Sequence, residues 1–171
     1  DFRVNTDPLP YYPKVTIVVP AHNEDVVIAQ TAKAILDLNY PHDRVELLLF
    51  ADNCSDRTYE ECLAVKALPE YAGRDLTIIN RSGTGGKAGV LNDALAMATG
   101  DYICVYDADA MPEKNALYFL VKEVLKDPER HVASFGRNKT RNAGQNFLTR
   151  CINQEIVVTQ RVHHVGMWHL F

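Results

Sequence analysis

The chain lacks long hydrophobic runs. Its longest apolar stretches, such as Val15–Pro20 and Val45–Ala51, are of strand length, whereas a membrane-crossing helix needs about 20 apolar residues. It also lacks any basic block or stripe. The 18 Lys and Arg stand against 22 Asp and Glu, a formal net charge of −4, so composition gives no support for nucleic-acid binding. Cysteine is scarce: Cys54, Cys62, Cys104 and Cys151 are far apart, with no pair at metal-finger spacing. Cys104, inside an apolar strand pattern, reads as a small core residue, and a reducing compartment is the simplest setting. No internal repeat or low-complexity tract is present. Three triplets, Asn53-Cys54-Ser55, Asn80-Arg81-Ser82 and Asn138-Lys139-Thr140, match the glycosylation sequon. Such short patterns arise by chance, and two of them fall in loops that belong to the candidate site.

What is present suits a single domain with a sizeable core. The chain opens at Asp1 and closes at Phe171 within an apolar stretch, which reads as a piece of a longer protein. After a Pro-rich lead-in over 1–13, short apolar runs alternate with helix-period segments. Val15–Val19, rich in β-branched residues and stopped by Pro20, predicts a buried strand. Val26–Leu38 carries a helical stripe of Ile28, Ala32, Ile35 and Leu36. Val45–Ala51 is a second strand. Arg57–Leu68 is a helix capped by Ser55 or Asp56, with Cys62 and Val65 inward. Leu76–Ile79 is a third strand. The loop Gly83-Thr84-Gly85-Gly86 then opens a helix over Lys87–Ala98, with Ala88, Leu91, Leu95 and Ala98 expected on its inner side. Tyr102–Tyr106 is a fourth, buried strand, and Pro112 starts a helix carrying Leu117, Leu120, Val121, Val124 and Leu125. A fifth strand is expected over His131–Phe135. A long amphipathic helix is expected over Gln145–Val165, with Leu148, Cys151, Ile152, Val158, Val162 and Val165 along one face.

This alternation predicts an α/β fold, a mainly parallel sheet with helices on both faces. In such sheets ligands bind beyond the carboxyl ends of the strands. Three strand ends carry polar cargo there: Pro20-Ala21-His22-Asn23-Glu24, Ala51-Asp52-Asn53-Cys54-Ser55-Asp56, and Asp107-Ala108-Asp109. Carboxylates gathered along one rim repel one another and need a cation or donor groups to relieve them. Asp107-Ala108-Asp109, directly ending a strand, can hold a hard divalent ion, and an ion so held can bridge nucleotide phosphates. Taken alone, the same motif could equally be a turn whose Asp side chains cap the next helix.

The segments VTIVVPAHNE, ADNCSDRT, GGKAGVLNDAL and GDYICVYDAD, in this order, resemble family 2 glycosyltransferases of the GT-A fold. The likeness is strongest to the membrane-anchored, cellulose-synthase-like branch and runs from Lys14 onward. It implies that 14–171 is a donor-binding GT-A domain, incomplete at its C-terminus. It implies an inverting, metal-dependent transfer from a UDP-sugar to an acceptor hydroxyl in polysaccharide or glycolipid synthesis. By the same likeness Pro20, Ala21, Asn23, Glu24 and Asp52 hold the uridine. Asp109 and Asp107 ligate Mn2+ or Mg2+ and contact the nucleotide sugar, and Lys87 and Asn92 lie near sugar and diphosphate. Ser55 and Asp56 read as capping residues and His22 as a plain loop residue.

Two family motifs are missing, the acidic segment that supplies the base and the later Gln-x-x-Arg-Trp. The catalytic base is therefore expected downstream, the 171-residue chain by itself is expected to be inactive, and the whole protein is expected to be membrane-associated with this domain in the cytoplasm. The glycine loop is not a P-loop, because Arg81 stands at the first glycine position and Ala88 follows the lysine. It does fit the looser G-x-G-x-x-A of dinucleotide enzymes, so a Rossmann-type oxidoreductase is the alternative. That fingerprint belongs after the first strand of its unit, and in this chain two strand–helix units precede it.

Overall fold

Four strands, β1 (Val15–Ala21), β2 (Val45–Asp52), β3 (Asp75–Arg81) and β4 (Tyr102–Val105), form one sheet in the order β3-β2-β1-β4. Every neighbouring pair is parallel. The computed structural model describes residues 7–127, 133, 134 and 136. The chain divides into two units, Asp1–Val132 and Ala133–Phe171, and the sheet with its helices belongs to the first. The strand expected over His131–Phe135, apart from Ala133 and Ser134, and the helix expected over Gln145–Val165 lie outside the described residues.

Because β1 is followed outward by β2 and β3, and the chain then returns to the other side of β1 for β4, the order reverses between β1 and β4. That reversal is where an open α/β sheet forms its ligand crevice. The period of two along β1 supplies both layers. Val15, Ile17, Val19 and Ala21 face one side, with Leu47, Leu49 and Leu76. Against that side pack α1 (Ile28–Leu36), α2 (Thr58–Lys66) and α4 (Ala116–Val124). Val18, Leu48 and Phe50 face the other side, under Val90 and Ala94 of α3 (Gly86–Met97). Ile28 and Ile35 are at most 1% exposed, and full burial of each such side chain stabilises by about 1.5–3 kcal/mol.

Several boundaries and faces differ from expectation. The first helix starts at Ile28, since the Glu24 carbonyl accepts from the Val27 and Ile28 amides and closes a turn ahead of it. On α3 the inner face is Val90 and Ala94, not the stripe through Ala88 and Leu95; Leu95 is 65% exposed. The pair one turn apart reaches Val18 and Phe50, which rotates Leu95 outward. The helix after Pro112 begins only at Ala116. Residues 112–115 instead form a turn held by Asn39, whose amide donates to the Lys114 carbonyl and whose Nδ2 donates to Asn115 Oδ1. Strand β4 is not fully buried. It pairs only with β1 among the described residues, and Ile103 and Val105 are exposed on one face.

At the amino edge of the sheet a buried acid pins β4 in place. Glu46 accepts from the Thr16 hydroxyl, the Thr99 amide and the Thr99 hydroxyl. Burial pushes its carboxyl up, but these bonds outweigh it and hold the group below the usual carboxylate range. The Gly100 amide donates to Thr16 Oγ1 at 2.9 Å, so the α3–β4 connection is fixed to β1 and β2. The lead-in also joins the core. Leu9 is buried, the Tyr40 hydroxyl donates to the Pro13 carbonyl at 2.8 Å, and the Tyr12 and Tyr40 rings meet edge to face. Cys104, expected as a core residue, is half-buried and packs against the core, whereas Cys62 is fully buried and its thiol is pushed up to about 12 by burial. Cys54, Cys62 and Cys104 are free thiols.

Candidate functional site

The three polar strand ends open at the same edge of the sheet and converge. They line a cleft of about 320 Å³. Pro20, Ala21, His22 and Glu24 contribute from the end of β1, and Asp52 from the end of β2. Lys87 and Val90 contribute from α3, and Asp107, Ala108 and Asp109 follow β4. The cleft therefore sits at the β1/β4 reversal.

The first two loops are laced together. Asn23 adopts a left-handed conformation (φ +56) that Asn tolerates better than other side chains. Its Oδ1 accepts from the Ser55 amide at 2.8 Å and from the Ser55 hydroxyl at 3.3 Å. The Glu24 amide donates to Thr58 Oγ1, and the Asp25 amide donates to Asp56 Oδ2. Asp56 Oδ1 accepts from the Thr58 amide and hydroxyl, so Asp56 does secure the start of α2, whereas Ser55 serves Asn23. Burial pushes the Asp56 carboxyl up; the bonds from Thr58 and Asp25 outweigh this and hold it below its ordinary range. His22 Nδ1 lies 2.8 Å from the Asp52 carbonyl oxygen. A carbonyl only accepts, so the ring proton is on Nδ1, and in the neutral ring Nε2 is left as an acceptor.

Asp52 is 5% exposed. Its Oδ1 accepts from Arg81 Nη1 at 2.6 Å and from Asn53 Nδ2 at 3.2 Å. Arg81 ends β3 and reaches further: Nε donates to Asp93 on α3 at 2.6 Å, and Nη2 donates to the Thr84 carbonyl at 3.0 Å. The bonds to Asp93 and then Asp52 raise the guanidinium pKa above its already high ordinary value. Asn53 brackets Gly83, donating to its carbonyl at 2.8 Å and accepting from its amide at 3.2 Å. The amide nitrogen that a glycan would take at Asn53 is thus already engaged.

On the far wall, the small residue between the two acids explains their placement. Ala108 is buried in the core, and its carbonyl accepts from the Thr31 hydroxyl of α1 at 2.6 Å. That pin leaves Asp107 and Asp109 exposed on either side of it. The Ala110 amide donates to the Asp107 carbonyl and closes the turn. Lys87 Nζ forms an ion pair with Asp107 Oδ1. Gly85, with φ +87, provides the left-handed residue ahead of α3, which turns the chain so that Lys87 reaches the cleft.

Of the residues expected at the site, Pro20, Ala21, Glu24, Asp52, Lys87, Asp107 and Asp109 meet in the cleft. Asn23 and Asn92 do not line it. The Asn23 carboxamide oxygen is committed to Ser55, and Asn92 lies exposed further along α3. His22 lines the cleft although its sequence context marked it only as a loop residue. Arg81 and Asn53 were also missed. The available signal was the third strand end: β3, like its neighbours, finishes in polar residues, Asn80-Arg81, next to the glycine loop.

The family model described as Glycosyl transferase family 2 matches residues 16–169. The chain belongs to glycosyltransferase family 2. Among its family 2 relatives, the probable glycosyltransferase YdaM of Bacillus subtilis (strain 168) is 42% identical over 159 residues, covering 93% of this chain and 37% of that protein. The beta-monoglucosyldiacylglycerol synthase of Trichormus variabilis (strain ATCC 29413 / PCC 7937) is 36% identical over 140 residues, covering 81% of this chain and 29% of that protein. This chain thus spans roughly a third of the length of these relatives. Among solved structures, the mannosyltransferase PcManGT from Pyrobaculum calidifontis, in complex with GDP-Man and Mn2+, superposes with a TM-score of 0.64 at 32% identity. That match covers 70% of this chain and 34% of PcManGT. The sheet and its flanking helices are those of the GT-A glycosyltransferases. The oxidoreductase alternative loses its ground, because the glycine loop follows β3 at the sheet's edge and not the central β1. No helix among the described residues is long and apolar enough to cross a membrane.

Proposed function

We propose that this domain binds the donor for an inverting, metal-dependent hexosyl transfer from a UDP-sugar to an acceptor hydroxyl, in a membrane-associated parent protein that makes a glycolipid or polysaccharide. The observation that carries the reading is the single cleft at the strand reversal, with Asp52 on one wall and Asp107 and Asp109 on the other. On the Asp52 side, a carboxylate acceptor suits a base that offers an N–H. On the other side, two exposed carboxylates flanking Ala108 offer the hard oxygen donors that Mn2+ or Mg2+ takes. No group of three or more His, Cys, Asp or Glu fit to hold a metal occurs among the described residues. Asp107 and Asp109 would be the residues of this chain that hold such an ion. When bound, such an ion supplies positive charge to the departing diphosphate. Lys87, already paired with Asp107, adds a second positive charge on the same wall.

In the proposed reaction the acceptor oxygen bonds to the anomeric carbon from the face opposite the diphosphate, the bond to UDP breaks, and the acceptor proton passes to a base. The cleft's acids are assigned elsewhere: Asp52 is paired with Arg81 and Asp107 with Lys87, while Glu24 is assigned to the nucleotide and Asp109 to the ion. We assign the base to a carboxylate outside this chain, which then holds the donor side alone. PcManGT, with its GDP-Man and Mn2+, supports a nucleotide-sugar donor and a divalent ion. The diacylglycerol in the name of the Trichormus synthase supports a lipid acceptor.

Calorimetry tests the reading. UDP is expected to bind at least about tenfold more tightly, roughly 1.4 kcal/mol, in Mn2+ or Mg2+ than in EDTA. Tight binding of NAD with no response to metal would overturn it.

A further inference from the structure

We infer that Thr31 of α1 is a positioning residue for the metal-binding turn: its hydroxyl, bonded to the Ala108 carbonyl, holds Asp107 and Asp109 on one side of the chain. The inference rests on the proposed donor site and goes beyond it, since Thr31 is buried and lies outside the cleft lining. Side chains alternate along a strand, and the alternation does not stop at Val105, where β4 ends. Val105, Asp107 and Asp109 are exposed, while Tyr106 is half-buried and Ala108 is buried. Both acids therefore continue the outward side of the strand. Among the described residues, the last backbone bond from the sheet to this segment runs from the Tyr106 amide to the Val18 carbonyl at 3.1 Å. Beyond it the Ala110 amide closes the turn on the Asp107 carbonyl, and Thr31 Oγ1 donates to the Ala108 carbonyl at 2.6 Å. The hydroxyl takes over where the sheet stops.

A threonine inside a helix commonly returns its hydroxyl to a carbonyl of its own preceding turn. Thr31 is 1% exposed, and its hydroxyl crosses instead to a residue 77 positions away. Helix α1 makes a firm brace for that bond. Ile28, Ala32 and Ile35 anchor it in the core. It starts directly from the cleft loop, because the Glu24 carbonyl accepts from the Val27 and Ile28 amides. Just past its end, Asn39 holds the far side of the same connection through the Lys114 carbonyl and the Asn115 side chain. The stretch from Ala108 to Asn115 is thus fastened at both ends to one helix and its extension.

Removing the hydroxyl has a consequence for the ion. Ala108 is 5% exposed, so its carbonyl would become a buried acceptor stripped of the partner that the structure gives it. That state is costly, and the turn relieves it by rotating the peptide that joins Ala108 to Asp109. The rotation moves one acid relative to the other. Hard cations, Mg2+ above all, tolerate little change in the placing of their oxygen donors. The metal response therefore falls, while the Asp52 side of the cleft keeps its own bonds to Arg81 and Asn53.

Calorimetric titration of the 171-residue chain with UDP, in Mn2+ and in EDTA, tests this through the ratio of the two affinities. In the wild type the ratio is expected to be at least about tenfold. Thr31→Val keeps the shape and removes the hydroxyl; its ratio should fall to about threefold or less, with affinity in EDTA within about threefold of wild type. Thr31→Ser returns the hydroxyl and should restore the wild-type ratio. A hydroxyl that served only the stability of the fold would lower the melting temperature of Thr31→Val and leave the ratio unmoved, and that result overturns the inference. Thr31→Cys, with a weak donor in place of the hydroxyl, should lower the ratio in the same direction and carries the test if Thr31→Val does not fold. A wild-type chain with no metal response sinks the donor-site reading and this inference together, whereas a wild-type response that Thr31→Val leaves intact sinks only the role of Thr31.

Discussion

Asp109→Ala is expected to abolish the gain that Mn2+ or Mg2+ brings to UDP binding, so that titrations in metal and in EDTA give the same affinity. The exposed carboxylate follows the pinned Ala108, and the core does not depend on it. Its removal leaves Asp107 as the other aspartate of the turn, and that carboxylate shares its charge with Lys87. One such carboxylate is a poor substitute for two around a hard cation. Affinity in EDTA should stay within about threefold of wild type, less than 1 kcal/mol, since the Asp52 wall, to which the base is assigned under the proposal, is untouched. Calorimetry in both buffers checks this, together with a melting curve unchanged from wild type. A surviving metal response would mean that the ion is held elsewhere.

Asp52→Ala should behave differently, weakening UDP by about 10- to 100-fold whether or not metal is present. A hydrogen bond to a charged group contributes about 1.5–3 kcal/mol, and each 1.4 kcal/mol is tenfold in affinity. The change also strips Arg81 of one of its two acidic partners, leaving Asp93 and the Thr84 carbonyl. Asp52→Asn keeps the shape and loses the charge, so its affinity should lie between Ala and wild type. If the Asp52 and Asp109 variants respond alike to metal, the division between base wall and metal wall is wrong.

Much of this site was legible in the sequence, and for a physical reason. A buried parallel strand leaves an almost continuous apolar run, so VTIVVP and VELLLFA mark strands whose carboxyl ends can be named without coordinates. Asp52, Asp107 and Asp109 follow from that and from the rule that ligands gather there. Helix faces were harder to read. On α3 the small residues on several sides make apolar periodicity weak, and the register of Val90 and Ala94 is decided by the sheet beneath them. Bonds across the sheet were hidden altogether. Arg81 and Asp52 are 29 residues apart, and only the pairing of β2 with β3, which sets Asp52 opposite Arg81, brings them together. At Asn23 the left-handed backbone, which the motif does not announce, turns the carboxamide oxygen to Ser55.

Under the proposed function, the Asp52 wall and the Asp107–Asp109 turn are two sides of one donor site. Amide spectra of the 15N-labelled chain, recorded with UDP and a trace of Mn2+, test it most directly, because paramagnetic broadening reports where the ion sits. Broadening is expected to centre on Asp107 to Ala110 and on Lys87, together with UDP-induced shifts at Asp52 and His22. Glu46 and Thr99, at the opposite edge of the sheet, should be spared. Broadening centred away from Asp109, or UDP shifts that avoid Asp52, would contradict it.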